Sequence, residues 1–81
     1  MRIVESWSTA QFKTTIYAME RWHYVEFEAG PMKQGYKFMK DRYATVGDVK
    51  EALSDAFLSD VYKSFENMYR GFKENAGPKE A

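Results

Sequence analysis

Only one side chain in the 81 residues has the intrinsic chemistry of a neutral-pH base, His23, and there is no cysteine. Without thiols the chain has no disulfide framework, no thiolate metal site and no cysteine nucleophile. Alternation along Trp22–Glu28 puts His23 beside Val25 and Phe27. That is an apolar setting, in which a lone histidine is a satisfied core or edge residue more often than a base or ligand. Glu26 and Glu28 lie on the opposite side of the same segment, about 7 Å apart by pleat geometry. Any exposed strand offers that spacing, so it does not specify general acid–base work. No HxxxH or EF-hand spacing occurs, nor a P-loop, G-x-S-x-G or G-x-G-x-x-G motif. Gly30-Pro31-Met32-Lys33-Gln34-Gly35 supplies two glycines but lacks the strand-to-helix setting that holds phosphate. The reading is a non-enzymatic protein with no metal and no cofactor.

Two other groups of residues have chemistry suited to recognition. Six Phe, six Tyr and two Trp make 17% of the chain aromatic, and Tyr and Trp combine a large apolar body with one polar handle. Lys33, Lys37, Lys40 and Arg42 stand against Asp41 alone, a local excess of three positive charges. Between Thr45 and Glu66 five carboxylates outnumber Lys50 and Lys63 by three. The chain is polarised, although its twelve cations and twelve anions cancel overall. A zero net charge argues against a strongly electrostatic nucleic-acid or membrane binder.

These residues need elements to position them. Arg2–Trp7 alternates weakly, with Ile3, Glu5 and Trp7 on one side. Phe12–Met19 alternates around a Thr-Thr-Ile-Tyr centre whose β-branched and aromatic residues favour a strand. Trp22–Glu28 alternates again, so Glu20-Arg21 marks a tight hairpin. Ala29–Gly35 reads as a break, and Tyr36–Asp41 as a fourth strand. From Thr45 the period changes: Val46, Val49, Leu53, Phe57, Val61, Phe65, Met68 and Phe72 recur every three or four residues, one stripe of an α-helix. Thr45 and Asp48 have capping-box spacing. Gly71 or Asn75-Ala76-Gly77-Pro78 ends the helix. The tandem pentapeptides Leu53–Phe57 and Leu58–Tyr62 each contain Ser-Asp. Five does not match the helical repeat, so the duplication reads first as chance, the sharper alternative being that Ser59-Asp60 begins a second helix.

The fold expected is α+β: an antiparallel meander of three to four strands with one long C-terminal helix packed on one face. A single domain over residues 1–77 is followed by a frayed tail, 78–81. The core set is Ile16, Val25, Phe27, Leu53, Phe57, Val61 and Phe65, with Phe12 on the same side of the sheet. A helix running from Val46 to Phe72 would rise about 40 Å, whereas eight-residue strands extend about 26 Å. Either the helix breaks near Ser59 and folds its end back onto the sheet edge, or Phe65, Met68, Tyr69 and Phe72 need another surface, for which a second copy is the cheapest source. Tyr17, Met19, Trp22 and Tyr24, mixed with Lys13, Glu26 and Glu28, fall on the face away from the helix. An apolar patch there marks interaction. The functional expectation is a self-associating protein-interaction module, a homodimer, with another protein as a possible partner. The alternative is single-stranded DNA or RNA binding, with sheet aromatics stacking bases and Lys33, Lys37, Lys40 and Arg42 holding phosphates. No apolar run approaches the length of a membrane span, and the chain begins without an apolar leader. The location expected is cytoplasmic, with no membrane partner.

Overall fold

The computed structural model describes residues 2–76. Four strands, β1 (Arg2–Ser8), β2 (Lys13–Ala18), β3 (Trp22–Ala29) and β4 (Met32–Met39), are followed by helices α1 (Val46–Ala52) and α2 (Asp55–Ala76). The strands pair antiparallel in the order β1-β2-β3-β4, a meander. The α+β expectation stands: this is a small α+β domain with an antiparallel sheet and a long C-terminal helix. The tail expected over 78–81 lies outside the described residues.

The fourth strand begins earlier than its alternation suggests. Met32 already pairs with Ala29, and Gln34 and Tyr36 follow in register, so the break shrinks from Ala29–Gly35 to Gly30-Pro31. Gly30 takes φ +59°, and proline fixes the next φ negative, which is the pattern of a II′ hairpin turn whose twist suits the strands. Lys40 and Asp41 fall after the strand, in a turn where the Lys40 N–H bonds to the Arg21 carbonyl.

A bulge in β1 changes its faces. Ile3 pairs with Tyr17 but Glu5 pairs with Ile16, leaving Val4 as an extra residue. Ile3 is thereby separated from Glu5 and Trp7, which strict alternation would put together. Glu5 and Trp7 turn to the helix side, where Lys50 of α1 pairs with the Glu5 carboxylate and sits 5.7 Å from the Trp7 ring centre.

The helix also differs from the continuous reading. Thr45 caps α1 with the full capping box: its hydroxyl accepts from the Asp48 N–H, and the Asp48 carboxylate accepts from the Thr45 N–H. The chain then breaks at Leu53-Ser54, five residues before Ser59, the alternative restart. Ser54 opens α2, its hydroxyl accepting from the Phe57 N–H at 3.2 Å. The first Ser-Asp pair is the cap, and the second lies within the helix, as does Gly71.

Phe12, Ile16, Val25, Phe27 and Phe38 from the sheet and Val49, Leu53, Val61 and Phe65 from the helices form one core. Phe57, expected in the core, is half-buried. It still packs at aromatic distance on Phe27, Tyr36 and Phe38, because it sits at the start of α2 over the exposed edge strand β4. His23 is buried on the core side, as alternation indicates.

Candidate interaction surfaces

The open face of the sheet is organised by its register. Ile3, Tyr17, Tyr24 and Lys37 form one cross-strand row, and Trp22 and Met39 the next. The Tyr17 and Tyr24 rings lie 5.9 Å apart at 41°. Tyr24 lies across Gly35, where a Cβ would collide with its hydroxyl and ring, so the glycine gives the ring its bed. Lys37 Nζ stands 4.5 Å from the Trp22 ring centre, an interaction worth about 0.5–1 kcal/mol at an exposed site. Tyr17, Trp22 and Tyr24 are consequently half-buried against their own neighbours, and Met19 is half-buried in the connection after β2. The most exposed apolar side chains here are Ile3 and Met39, at 60% and 44%. Met39 falls within the fourth strand that alternation indicates, whereas the β1 bulge hides the direction of Ile3.

Charge on this face is mixed. Lys13, Glu28 and Lys33 follow one another across β2, β3 and β4, and Glu26 lies opposite Gly35. Lys33 and Lys37 belong to β4, whereas Lys40 and Arg42 sit in the turn after it. The four cations therefore line one sheet edge and its corner, with carboxylates beside them. Met19, Glu20, Arg21 and Trp22 line a shallow depression of about 500 Å³ at the β2–β3 turn. The Trp22 indole N–H is buried without a hydrogen-bond partner among the described residues.

The second surface lies on the other side of the molecule. α2 starts beside Phe38 and Tyr36, where Phe57 packs. At Val61 its carbonyl accepts from Gln34 Nε2 at 3.0 Å, and the Tyr36 hydroxyl donates to Gln34 Oε1 at 2.8 Å. Phe65 meets Phe12, at the β1–β2 connection that ends the sheet, with ring centres 5.9 Å apart. Met68 still packs against the core, but Tyr69 and Phe72 do not, and they stand 52% and 45% exposed. Tyr62, on the same flank, is 40% exposed.

Family models, curated proteins and solved structures were compared, and none matches the chain. The candidate site residues thus fall into two groups that the fold keeps apart. Tyr17, Met19, Trp22 and Tyr24 lie with Lys37 on or beside the open face, and Met68, Tyr69 and Phe72 lie on α2 beyond the sheet. Among the described residues no cluster of His, Cys, Asp or Glu could hold a metal ion. No described helix is long and apolar enough to cross a membrane.

Proposed function

We propose that this chain is a protein-interaction module that self-associates through the distal part of α2. The observation that carries this reading is the overhang of the helix. With 22 residues α2 rises about 33 Å; Phe65 meets the end of the sheet at Phe12, and Met68 is the last side chain packed against the core. Tyr69 and Phe72 continue the apolar stripe into solvent. The long axis of the molecule, 48 Å against 26 and 20 Å, reflects this projection. An isolated exposed aromatic is ordinary, but two aromatics continuing a core stripe past its sheet form a contiguous patch of the kind that marks association. The open face suits this role less well, because its aromatics are already engaged with Gly35, Lys37 and each other.

Sedimentation equilibrium at tens to hundreds of micromolar tests the reading, since a short helical contact falls at the weak end of interface sizes. The expected result is reversible association above 9.5 kDa. It should be lost in the Tyr69→Ser/Phe72→Ser variant with the circular dichroism spectrum unchanged. A single 9.5 kDa species at every concentration would refute it.

Single-stranded nucleic-acid binding is the second reading, favoured by one observation: Lys33 and Lys37 share the open face with Tyr17, Trp22 and Tyr24. Four phosphate contacts would give a log–log salt slope near roughly −3. Fluorescence anisotropy with a labelled single strand at two salt concentrations tests it. With Glu26 and Glu28 on the same face, the expected result is background binding.

A further inference from the structure

We infer that the free edge of β4 takes an extended acidic segment of another protein as a fifth, antiparallel strand, with two carboxylates four residues apart facing Lys33 and Lys37. This docking is independent of the self-association proposed above, because it uses neither Tyr69 nor Phe72. The backbone sets the site. β4 is the last strand of the sheet and has a neighbour on one side only. The Lys40 N–H donates to the Arg21 carbonyl at 3.0 Å, across from β3. Bonded and unbonded pairs alternate in an antiparallel ladder, so Phe38, Tyr36, Gln34 and Met32, in register with β3, also bond inward. The N–H and C=O groups of Lys33, Gly35 and Lys37 therefore point out of the sheet, as does the Met39 N–H. The Met39 carbonyl accepts from the Arg42 and Tyr43 N–H groups at 3.1 and 2.8 Å, which closes the free edge at that end.

The two edges of the sheet are not alike. β1 is interrupted by the bulge at Val4, a device that blunts an edge against pairing. β4 runs for eight residues with no proline and no shift of register. What distinguishes it is charge. Lys33 and Lys37 are exposed on the same side of the strand, and Gly35 between them adds no side chain. Glu28 lies opposite Lys33 in the ladder, and Lys37 stands over Trp22. Among the described residues the only ion pair is Glu5–Lys50, so neither lysine is committed to one.

These charges select the occupant. A second β4 laid antiparallel in full overlap about Gly35 would put Lys33 of each copy opposite Lys37 of the other. Like charges directly opposite are destabilising, so the edge rejects its own copy. An acidic strand turns both contacts into attractions. Its residues opposite Lys33 and Lys37 are four apart, about 13 Å along the strand. Main-chain bonds supply the affinity and the carboxylate spacing supplies the selection.

Fluorescence anisotropy with a fluorescein-labelled peptide, Val-Thr-Glu-Thr-Thr-Val-Glu with both ends blocked, tests this. The parent is expected to bind it saturably, and to leave the version with lysine at both glutamates at background. In Lys33→Glu/Lys37→Glu the preference should invert: the acidic peptide weakens about tenfold and the lysine version binds. That variant should keep the parent's circular dichroism, since both positions are exposed. Backbone methylation separates strand addition from plain charge attraction. In the antiparallel register the N–H of the first glutamate points at β4, and that of the next threonine points away. N-methylation should therefore weaken binding about tenfold at the glutamate and leave it within about threefold at the threonine. Equal loss, no loss or the reverse pattern overturns the inference, as does an acidic peptide that does not bind. A labelled oligothymidylate that binds where the peptide does not would assign the lysines to phosphate and overturn it too. The Tyr69→Ser/Phe72→Ser variant should bind the peptide as the parent does, so self-association and strand addition can each fail alone. Loss of peptide binding in that variant would place the contact on α2 and overturn the β4 site.

Discussion

Two serines in identical Leu-Ser-Asp settings, Ser54 and Ser59, should respond to replacement in opposite ways. Ser54 precedes the first turn of α2 and accepts from the Phe57 N–H at 3.2 Å, while its carbonyl accepts from Leu58 at 2.9 Å. Ser54→Ala removes the side-chain acceptor and leaves an amide without a partner, costing about 1 kcal/mol within a range of roughly 0.5–2. Ser59 lies one turn inside the helix and exposed. There alanine is the better helix former, so Ser59→Ala is expected to be neutral or stabilising by up to about 0.5 kcal/mol. For a domain of this size 1 kcal/mol moves the midpoint by roughly 4–8 °C. Thermal unfolding followed by far-UV circular dichroism, at one protein concentration for all variants, should show Ser54→Ala melting several degrees below the parent. Ser59→Ala should melt at or slightly above it, and Ser54→Asp, which keeps a capping oxygen, near it. Equal losses for the two alanine variants, or a larger loss for Ser59→Ala, would refute the placement of the helix break.

Phe27 is fully buried against Phe12 and Tyr36, so Phe27→Ala should cost about 3–5 kcal/mol. Against a total of roughly 4–12 kcal/mol for a chain this long, guanidinium titration should show it largely or marginally unfolded. Gly30→Ala imposes a side chain at φ +59° and should lower the urea midpoint by an amount worth about 1 kcal/mol. Gly35→Ala must push the Tyr24 ring aside. The expected result is a changed near-UV circular dichroism spectrum with stability within about 1 kcal/mol, because lost ring packing offsets the gain from replacing a strand glycine. Glu5→Gln should change stability by less than about 1 kcal/mol, since both ends of its ion pair with Lys50 are solvent-exposed in part.

The readable parts of the sequence were those where one physical signal acted alone. The apolar stripe from Val46 to Phe72 specified helix, and the Thr45–Asp48 box marked its start. Period-two alternation specified β2 and β3, including the inward direction of His23. The misplaced features are those where two signals competed. Two consecutive Ser-Asp pairs could each open a helix, and position over the sheet selects the first. Gly30, Pro31 and Gly35 together resemble a long loop, yet Gly30 and Pro31 make a turn while Gly35 belongs to a strand beneath Tyr24. The extra residue at Val4 has no sequence mark, and it inverts the faces of Glu5 and Trp7 relative to Ile3. The candidate surfaces were only half legible for the same reason. Alternation collects Tyr17, Trp22 and Tyr24, but only tertiary structure reveals that they are covered by one another and by Lys37, whereas Tyr69 and Phe72 are not.

The simple strand order has a kinetic consequence. Every strand pairs with its neighbour in the chain, across connections as short as Gly30-Pro31, so each ladder closes at small entropic expense. The contacts that join sheet and helix span far more chain: 27 residues separate Gln34 from Val61, and Phe12 meets Phe65 only after β2, β3, β4 and α1 have intervened. Loop-closure cost rises with the logarithm of that separation, and contacts of high sequence separation slow folding. The hairpins can therefore form and dissolve on the microsecond scale of isolated turns, while commitment to the native state waits for α2 to swing back and bury Val25 and Phe27. The transition state is expected to contain the meander together with Phe57 and Val61 docked upon it. The projecting end of the helix, having nothing to dock against within its own chain, should contribute to the unfolding rate and leave the folding rate untouched.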